Sequence, residues 1–371
     1  MRSLHVIGSR QFGGADQFYV RLVRALNDSG HQAIPVCRPG SPVARALATS
    51  GVARRHLPLA SKWDLYSAWR IRRLVGELRP EVVQTYMGRA TRLTRLSSDG
   101  PAVHLARLGG YYKVRGYYEH AHAWVGNTRG LCDYLVAEGL PREKVHLIGN
   151  FVDEPDPVSE EEVRGLRERY ALPSDALVLY SLARFIDIKG IDDLLRAFAL
   201  LPARLASRPL ALVVSGDGPL RADLHRLAAD LGLSDRVRWT GWQDRPGPFY
   251  RTADLFVCPS RHETLGNVIL EAWSYGKAVV STDTPGALEL VDDGRTGLLA
   301  ARGNPATLAA RIEEALRGPR ERLLALADAG KARVLSEHSR HAIVSAYTEL
   351  YARLSADRRS TTAGAAVLPG A

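Results

Sequence analysis

Residues 253–281 read A-D-L-F-V-C-P-S-R-H-E-T-L-G-N-V-I-L-E-A-W-S-Y-G-K-A-V-V-S. Leu255 to Cys258 is a short apolar run closed by Pro259-Ser260, the pattern of a buried strand ending in a turn. From Gly266 the period becomes helical, with Val268, Ile269, Ala272 and Trp273 on one side. Ala278 to Ser281 reads as the next strand. Glu263 then stands on a loop at the carboxyl end of a strand, where open α/β sheets bind ligands. Glu271 stands on the helix that follows, and the helix N-terminus between the two can hold a phosphate on its N–H groups. One carboxylate can reach a sugar hydroxyl and the other a ribose, on either side of a diphosphate.

The spacing speaks against a glycosidase. Eight helical steps would separate the carboxylates by about 12 Å, whereas glycosidase pairs flank one bond at roughly 5–9.5 Å. On spacing alone a plainer reading stands beside the ligand-binding one, with Glu263 a surface charge and Glu271 a satisfied helix acid.

The rest of the chain has the same grammar. Strand-like runs at Leu4–Gly8, Gln32–Cys37, Val82–Thr85, Val103–Arg107, Ala123–Gly126 and Val145–Ile148 alternate with helical patterns such as Ala15–Ser29 and Leu65–Leu78. A second series follows at Leu177–Ala183, Leu210–Ser215, Val237–Thr240, Leu255–Pro259, Ala278–Ser281 and Gly297–Leu299. Alternation of this kind predicts doubly wound α/β folds, and 371 residues predict two domains. The acidic, proline-bearing stretch 152–157 reads as the linker. The expected domains are therefore 1–152 and 153–336, then a helix over 337–355 and a disordered tail over 356–371.

Composition narrows the class. Hydrophobic residues make up 46% and charged residues 24% of the chain, as in soluble globular proteins. No apolar run approaches the ~18–20 residues of a membrane span, and the first strand runs directly into a glycine loop, unlike a signal peptide. Cys37, Cys132 and Cys258 have neither metal-site nor disulfide spacing, which suits a reducing cytoplasm. The net charge of +10 is uneven: residues 1–155 hold 22 Lys and Arg against 12 Asp and Glu, and the remainder holds 28 of each. Arg72, Arg73, Arg107 and Arg115, with Tyr111 and Tyr112, are read as a face for an anionic acceptor or membrane surface. No nucleic-acid recognition motif accompanies them. Only six of the 50 cations are lysines, so genome base composition is a competing cause.

The run E-T-L-G-N-V-I-L-E-A-W-S-Y-G-K-A-V-V from Glu263 resembles the E-x7-E block of the retaining family 4 glycosyltransferases. Gly13-Gly14, S-L-A-R-F-I-D-I-K-G with Arg184 and Lys189, Ser215 to Pro219, Gly241-Trp242 and the run from Pro285 match in the same order. The resemblance covers roughly residues 4–355 and implies a GT-B fold: two Rossmann-like doubly wound domains facing a central cleft, an acceptor domain first and a nucleotide-sugar domain second. The C-terminal helix would cross back to the first domain.

The same resemblance implies roles. Arg184, Lys189 and Glu263 would be catalytic, the two cations stabilising charge on the leaving nucleoside diphosphate. Gly13, Gly14, Gly241, Trp242, Thr264, Leu265, Gly266, Asn267 and Glu271 would bind the donor, a UDP- or GDP-sugar. No D-x-D motif occurs, so neither metal nor other cofactor is expected. The implied reaction is retaining transfer to a glycolipid, lipopolysaccharide or capsule-type acceptor, in the cytoplasm or peripherally on the inner membrane face. The alternatives are a GT-B-like nucleotide-sugar epimerase or hydrolase, or a catalytically silent sugar-nucleotide binder. Gly13-Gly14 could instead be a mere tight turn, Gly216-Asp217-Gly218-Pro219 is read as a strand-to-helix turn, and Trp242 could equally pack in the core. The sequence departs from many relatives at Gly109-Gly110, where they carry a histidine beside the donor sugar. His104, His120 and His122 fall in the wrong places to replace it.

Overall fold

The computed structural model describes residues 1–48, 51–97 and 100–365. The chain divides into two compact units, Met1–Phe151 with the segment from Ser339 onward, and Val152–His338. Val152 already packs in the core of the second.

The first unit begins with β1 (Arg2–Ile7), α1 (Gly14–Asp28), β2 (Gln32–Cys37), α2 (Pro42–Ala48), β3 (Arg55–His56) and α3 (Leu65–Leu78). It continues through β4 (Val82–Tyr86), α4 (Met87–Leu93), β5 (Val103–Leu108), β6 (Ala123–Gly126), α5 (Arg129–Ala137) and β7 (Val145–Leu147). All its strands pair in parallel, in the order β3-β2-β1-β4-β5-β6-β7. Both faces are covered, so the strands are apolar runs rather than alternating ones. Leu4 and Val6 of β1 meet Ile71 and Leu74 of α3, whereas Ile7 lies in the layer built by Phe18 and Leu22 of α1.

The second unit holds α6 (Glu160–Arg169), β8 (Leu177–Leu182), α7 (Ile191–Leu200), β9 (Arg204–Leu205), β10 (Arg208–Ser215), α8 (Arg221–Asp230), β11 (Val237–Gly241) and α9 (Gly247–Thr252). Then come β12 (Leu255–Cys258), α10 (Asn267–Ser274), β13 (Ala278–Thr282), α11 (Pro285–Leu290), β14 (Leu298–Ala300), α12 (Pro305–Arg317) and α13 (Arg320–Glu337). Its sheet runs β11-β10-β8-β12-β13-β14, with the short β9 antiparallel to β10. In each sheet the chain lays three strands outward in one direction and then returns to the far side of the first. This is the doubly wound arrangement, with its switch point between β1 and β4 in one unit and between β8 and β12 in the other.

The end of the chain differs from the expectation. Glu337 closes α13, and α14 spans Arg340–Ala365. Ile343, Val344, Tyr347, Leu350 and Tyr351 of α14 enter the first unit's core beside Phe18 and Phe151, and Tyr351 donates its hydroxyl to Gln84. Residues 356–365 are helical rather than disordered, and the remainder of the expected tail lies outside the described residues. This segment lacks an apolar period. Helix propagation from an anchored stem costs far less than nucleation, and Arg358 ties it down by donating to the Gly100 and Ser97 carbonyls at 2.9 Å.

Candidate active site

The second unit's switch point gathers the residues singled out in its sequence. The loop after β8 carries Arg184, a short 3-10 turn over Asp187–Lys189, and Gly190. The loop after β12 carries Ser260 to Gly266. Two backbone bonds join them, from the N–H groups of Arg261 (2.9 Å) and His262 (3.2 Å) to the Ile188 carbonyl. Gly190 makes this approach possible. Its φ is +60°, and a Cβ there would lie 2.2 Å from the Pro259 oxygen.

Lys189 Nζ forms an ion pair with Glu263 Oε1, both side chains largely buried. Ser260 Oγ donates to the same carboxylate oxygen at 3.0 Å. The Gly286 N–H donates to the Glu263 carbonyl at 3.0 Å, fixing the loop from the α11 side. Behind the pair, burial and the nearby Glu263 carboxylate push the Cys258 thiol up, so it stays a neutral thiol. Arg261, a residue the sequence did not single out, braces the other flank by pairing with Asp187 (2.9 Å), Asp192 (2.7 Å) and Asp193 (2.8 Å). The Asp192-Asp193 dipeptide opening α7 was its only sequence signal.

Arg184 is exposed, and its guanidinium has no hydrogen bond or ion pair among the described residues. Its backbone is held by the turn after β10. Phe185 N–H donates to the Asp217 carbonyl at 2.9 Å, and a Cβ at Gly216 or Gly218 would sit 1.8 or 2.5 Å from the carbonyl oxygens of Ala183 or Phe185. The Gly216–Gly218 turn is thus the wall behind Arg184, in line with its structural reading.

Gly266 caps α10 in the left-handed region, φ +93°. Leu265 is buried, and a Cβ at Gly286 would fall 2.6 Å from its backbone. The helix therefore starts only at Asn267, and the all-helical 12 Å spacing does not apply between Glu263 and Glu271. The first turn of α10 has N–H groups with no intrahelical acceptor, directly after the loop bearing Glu263 and Thr264. Glu271 is half-buried on α10 with the Tyr250 hydroxyl 3.5 Å away. Gly241 (φ +70°) ends β11, its carbonyl accepting from Gly216 N–H at 2.8 Å. Trp242 is 56% exposed, its Nε1 donating to Asp244 at 2.9 Å; it does not pack in the core. Trp239 does, against Phe185.

In the first unit Gly13 is the extended N-cap of α1, and its N–H donates to Asp16 at 3.0 Å. Asp16 is buried, which raises its pKa despite hydrogen bonds that lower it.

Arg107 corrects the expected basic face. It is 2% exposed, its guanidinium carbon 3.9 Å from the Phe18 ring centroid and its Nη2 bonded to Asn150. A residue inside a strand buried on both faces has no route to solvent. A Cβ at Gly109 would lie 3.2 Å from Arg107 Nη1, and one at Gly110 3.1 Å from the Tyr112 ring. Arg107 and Tyr112 thus crowd the place where a histidine was expected. His104 is buried against Thr85 Oγ1 at 3.0 Å, and burial first, then His120 and His122, hold it well below its ordinary value. Arg72, Arg73, Tyr111, Tyr112 and Arg115 are exposed. So are Trp63, Leu65, Tyr66 and Trp69, between 51% and 83%. Arg92 lies 4.1 Å over the Trp63 ring, and Arg70 and Arg73 lie 5.7 and 5.8 Å from that of Trp69.

Comparisons with known proteins agree with this layout. The family description "Glycosyl transferases group 1" matches residues 163–333, and "Glycosyltransferase Family 4" matches residues 12–155. The lipopolysaccharide core biosynthesis glycosyltransferase LpsE of Rhizobium meliloti (strain 1021) is 34% identical over 341 residues, 92% of this chain and 96% of its own. LpsD of the same organism is 32% identical over 362 residues, 95% and 98%. The crystal structure of Anabaena Alr3699/HepE in complex with UDP-glucose superposes with a TM-score of 0.80 at 18% identity, covering 95% of this chain and all of that one. The chain has the fold of the GT-B enzymes and belongs to the glycosyltransferases.

Proposed function

We propose that the protein transfers a sugar from a UDP- or GDP-sugar, with retention of anomeric configuration and without a divalent metal. The acceptor is of the lipopolysaccharide-core or surface-polysaccharide type, met at the inner face of the cytoplasmic membrane. The Lys189–Glu263 pair at the switch point, ahead of the α10 N-terminus, carries this reading. A donor diphosphate set against α10 would draw Lys189 from Glu263, and Lys189 with the uncommitted Arg184 would stabilise charge developing on the leaving group. Glu263, Thr264, Leu265, Gly266 and Asn267 would line the sugar and phosphates, Glu271 the ribose, and Gly241-Trp242 the base. The names of LpsE and LpsD support the acceptor class, and the complex of HepE supports a UDP-linked donor. The aromatic and cationic face around Trp63 and Trp69, with Arg72, Arg73 and Arg115 exposed in the same unit, supports contact with an anionic membrane.

Labelled UDP- and GDP-sugars offered with a cell lipid extract in the presence of EDTA test the reading. Labelled glycolipid whose new bond keeps the donor's anomeric configuration is expected. An inverted product, free sugar only, or activity restored solely by Mg²⁺ or Mn²⁺ would contradict it.

A further inference from the structure

Three arginines, two from loops and one from the first turn of α4, converge at the carboxyl edge of the first sheet. Arg10 follows β1, Arg38 follows β2 and Arg89 opens α4 after β4. All three reach the short loop after β3. Arg38 Nη1 donates to the Leu59 carbonyl at 2.6 Å, Arg89 Nη1 to the same oxygen at 3.2 Å, and Arg10 Nη2 to the Ala60 carbonyl at 3.0 Å. Arg89 also donates to the Gly8 carbonyl at 2.9 Å, and Gly8 leaves room for it, since a Cβ there would lie 3.2 Å from Arg89 Cδ.

Two guanidinium groups sharing one neutral acceptor is an unfavourable arrangement of like charges. Burial, then the nearness of Arg10 and Arg38, holds Arg89 below its ordinary value. Asp64 is the nearby carboxylate, but it accepts from Ala60 N–H (2.8 Å), Ser67 N–H (2.9 Å) and the Ser67 hydroxyl (2.7 Å) and forms no ion pair with the three. The backbone beside the cluster is strained. Leu59 is a buried non-glycine residue at φ +44°, and Met87, two residues before Arg89, is at φ +64°. Strain of this kind persists where the surroundings impose it and gathers at ligand sites. Each arginine spends one terminal nitrogen on carbonyls, leaving a fork of N–H donors of the sort that matches phosphate oxygens.

We propose that Arg10, Arg38 and Arg89 form a site for a phosphate monoester carried by the acceptor sugar. This deepens the transferase reading and rests on it only for the word acceptor. The site lies beside the β1–β4 switch point, where a doubly wound sheet receives ligands. Asp64 offsets part of the charge on Arg38, and a dianion would supply the rest of the counter-charge for the three cations.

Isothermal titration of the full chain with mannose 6-phosphate and with inorganic phosphate tests this, alongside flotation with phosphatidylglycerol vesicles. Wild type should bind mannose 6-phosphate, Arg38→Gln/Arg89→Gln at least about tenfold more weakly, and Arg320→Gln, an exposed arginine of the second unit, like wild type. Arg10→Gln, whose side chain is exposed, should weaken binding severalfold even if the double variant proves unstable. Equal binding by wild type and Arg10→Gln, or none by wild type, would overturn the proposal. Loss of flotation in the double variant without monoester binding by wild type would assign the cluster to lipid headgroups and overturn it too. UDP binding, read in the same preparations, reports separately on the donor site.

Discussion

The carboxyl edges of the two sheets share a strand order and differ in charge. In the second unit every cation near the switch point except Arg184 has a carboxylate: Lys189 has Glu263, and Arg261 has Asp187, Asp192 and Asp193. In the first unit three arginines meet on carbonyl oxygens, while the one carboxylate at the α1 N-terminus, Asp16, is occupied with Gly13. A balanced edge can hand a cation to a passing diphosphate and take it back, as a reaction that builds and releases charge requires. An unbalanced edge retains an anion. The difference suits a donor that is broken in the second unit and an acceptor that is held in the first.

The sharpest way to break the comparison is to unbalance the second edge. Lys189→Ala should lower turnover on the order of 10²-fold or more with the fold intact, because a preorganised cation acts on developing charge. Arg184→Ala should do nearly as much. Steady-state transfer assays on folded variants check both, and wild-type rates would remove these residues from the chemistry. Gly190→Ala attacks the closure of the two loops. Its φ of +60° and the 2.2 Å approach to Pro259 predict a stability loss on the order of 1–3 kcal/mol or more, read as a lowered Tm. An unchanged melt would mean the loops tolerate separation.

Glu271→Ala should weaken UDP or GDP binding by about tenfold with a smaller effect on turnover of bound donor, and equal affinity by titration would remove the ribose role. The smallest effect belongs to the exposed face of the first unit. Trp63→Ser/Trp69→Ser should reduce binding to phosphatidylglycerol vesicles severalfold, and wild-type binding should fall as salt rises past roughly 0.15–0.5 M. Undiminished binding by the double variant would place membrane contact elsewhere.

Much of this was legible in the chain. Strand runs and glycine punctuation placed most strands within a residue or two, because buried parallel strands are continuous apolar runs that need no alternation to be seen. Glu263 was read on a loop at the carboxyl end of a strand, but its ion pair with Lys189 was not anticipated. What escaped has a common cause. The convergence of Arg10, Arg38 and Arg89 depends on the lateral order of strands, which linear spacing does not carry. Arg107 was read as surface because it is arginine, although its place inside a predicted strand already argued for burial. The continuation of α14 past residue 355 rests on anchoring from another part of the unit, and no local apolar period announces it.

Hydrogen–deuterium exchange of the full chain with and without UDP tests the assignment of the donor most directly. The account predicts new protection in the loop and first turn spanning residues 184–190 and 260–271, with residues 57–60 changed far less. Protection confined to the first unit, with residues 260–271 unaffected by saturating UDP, would contradict it.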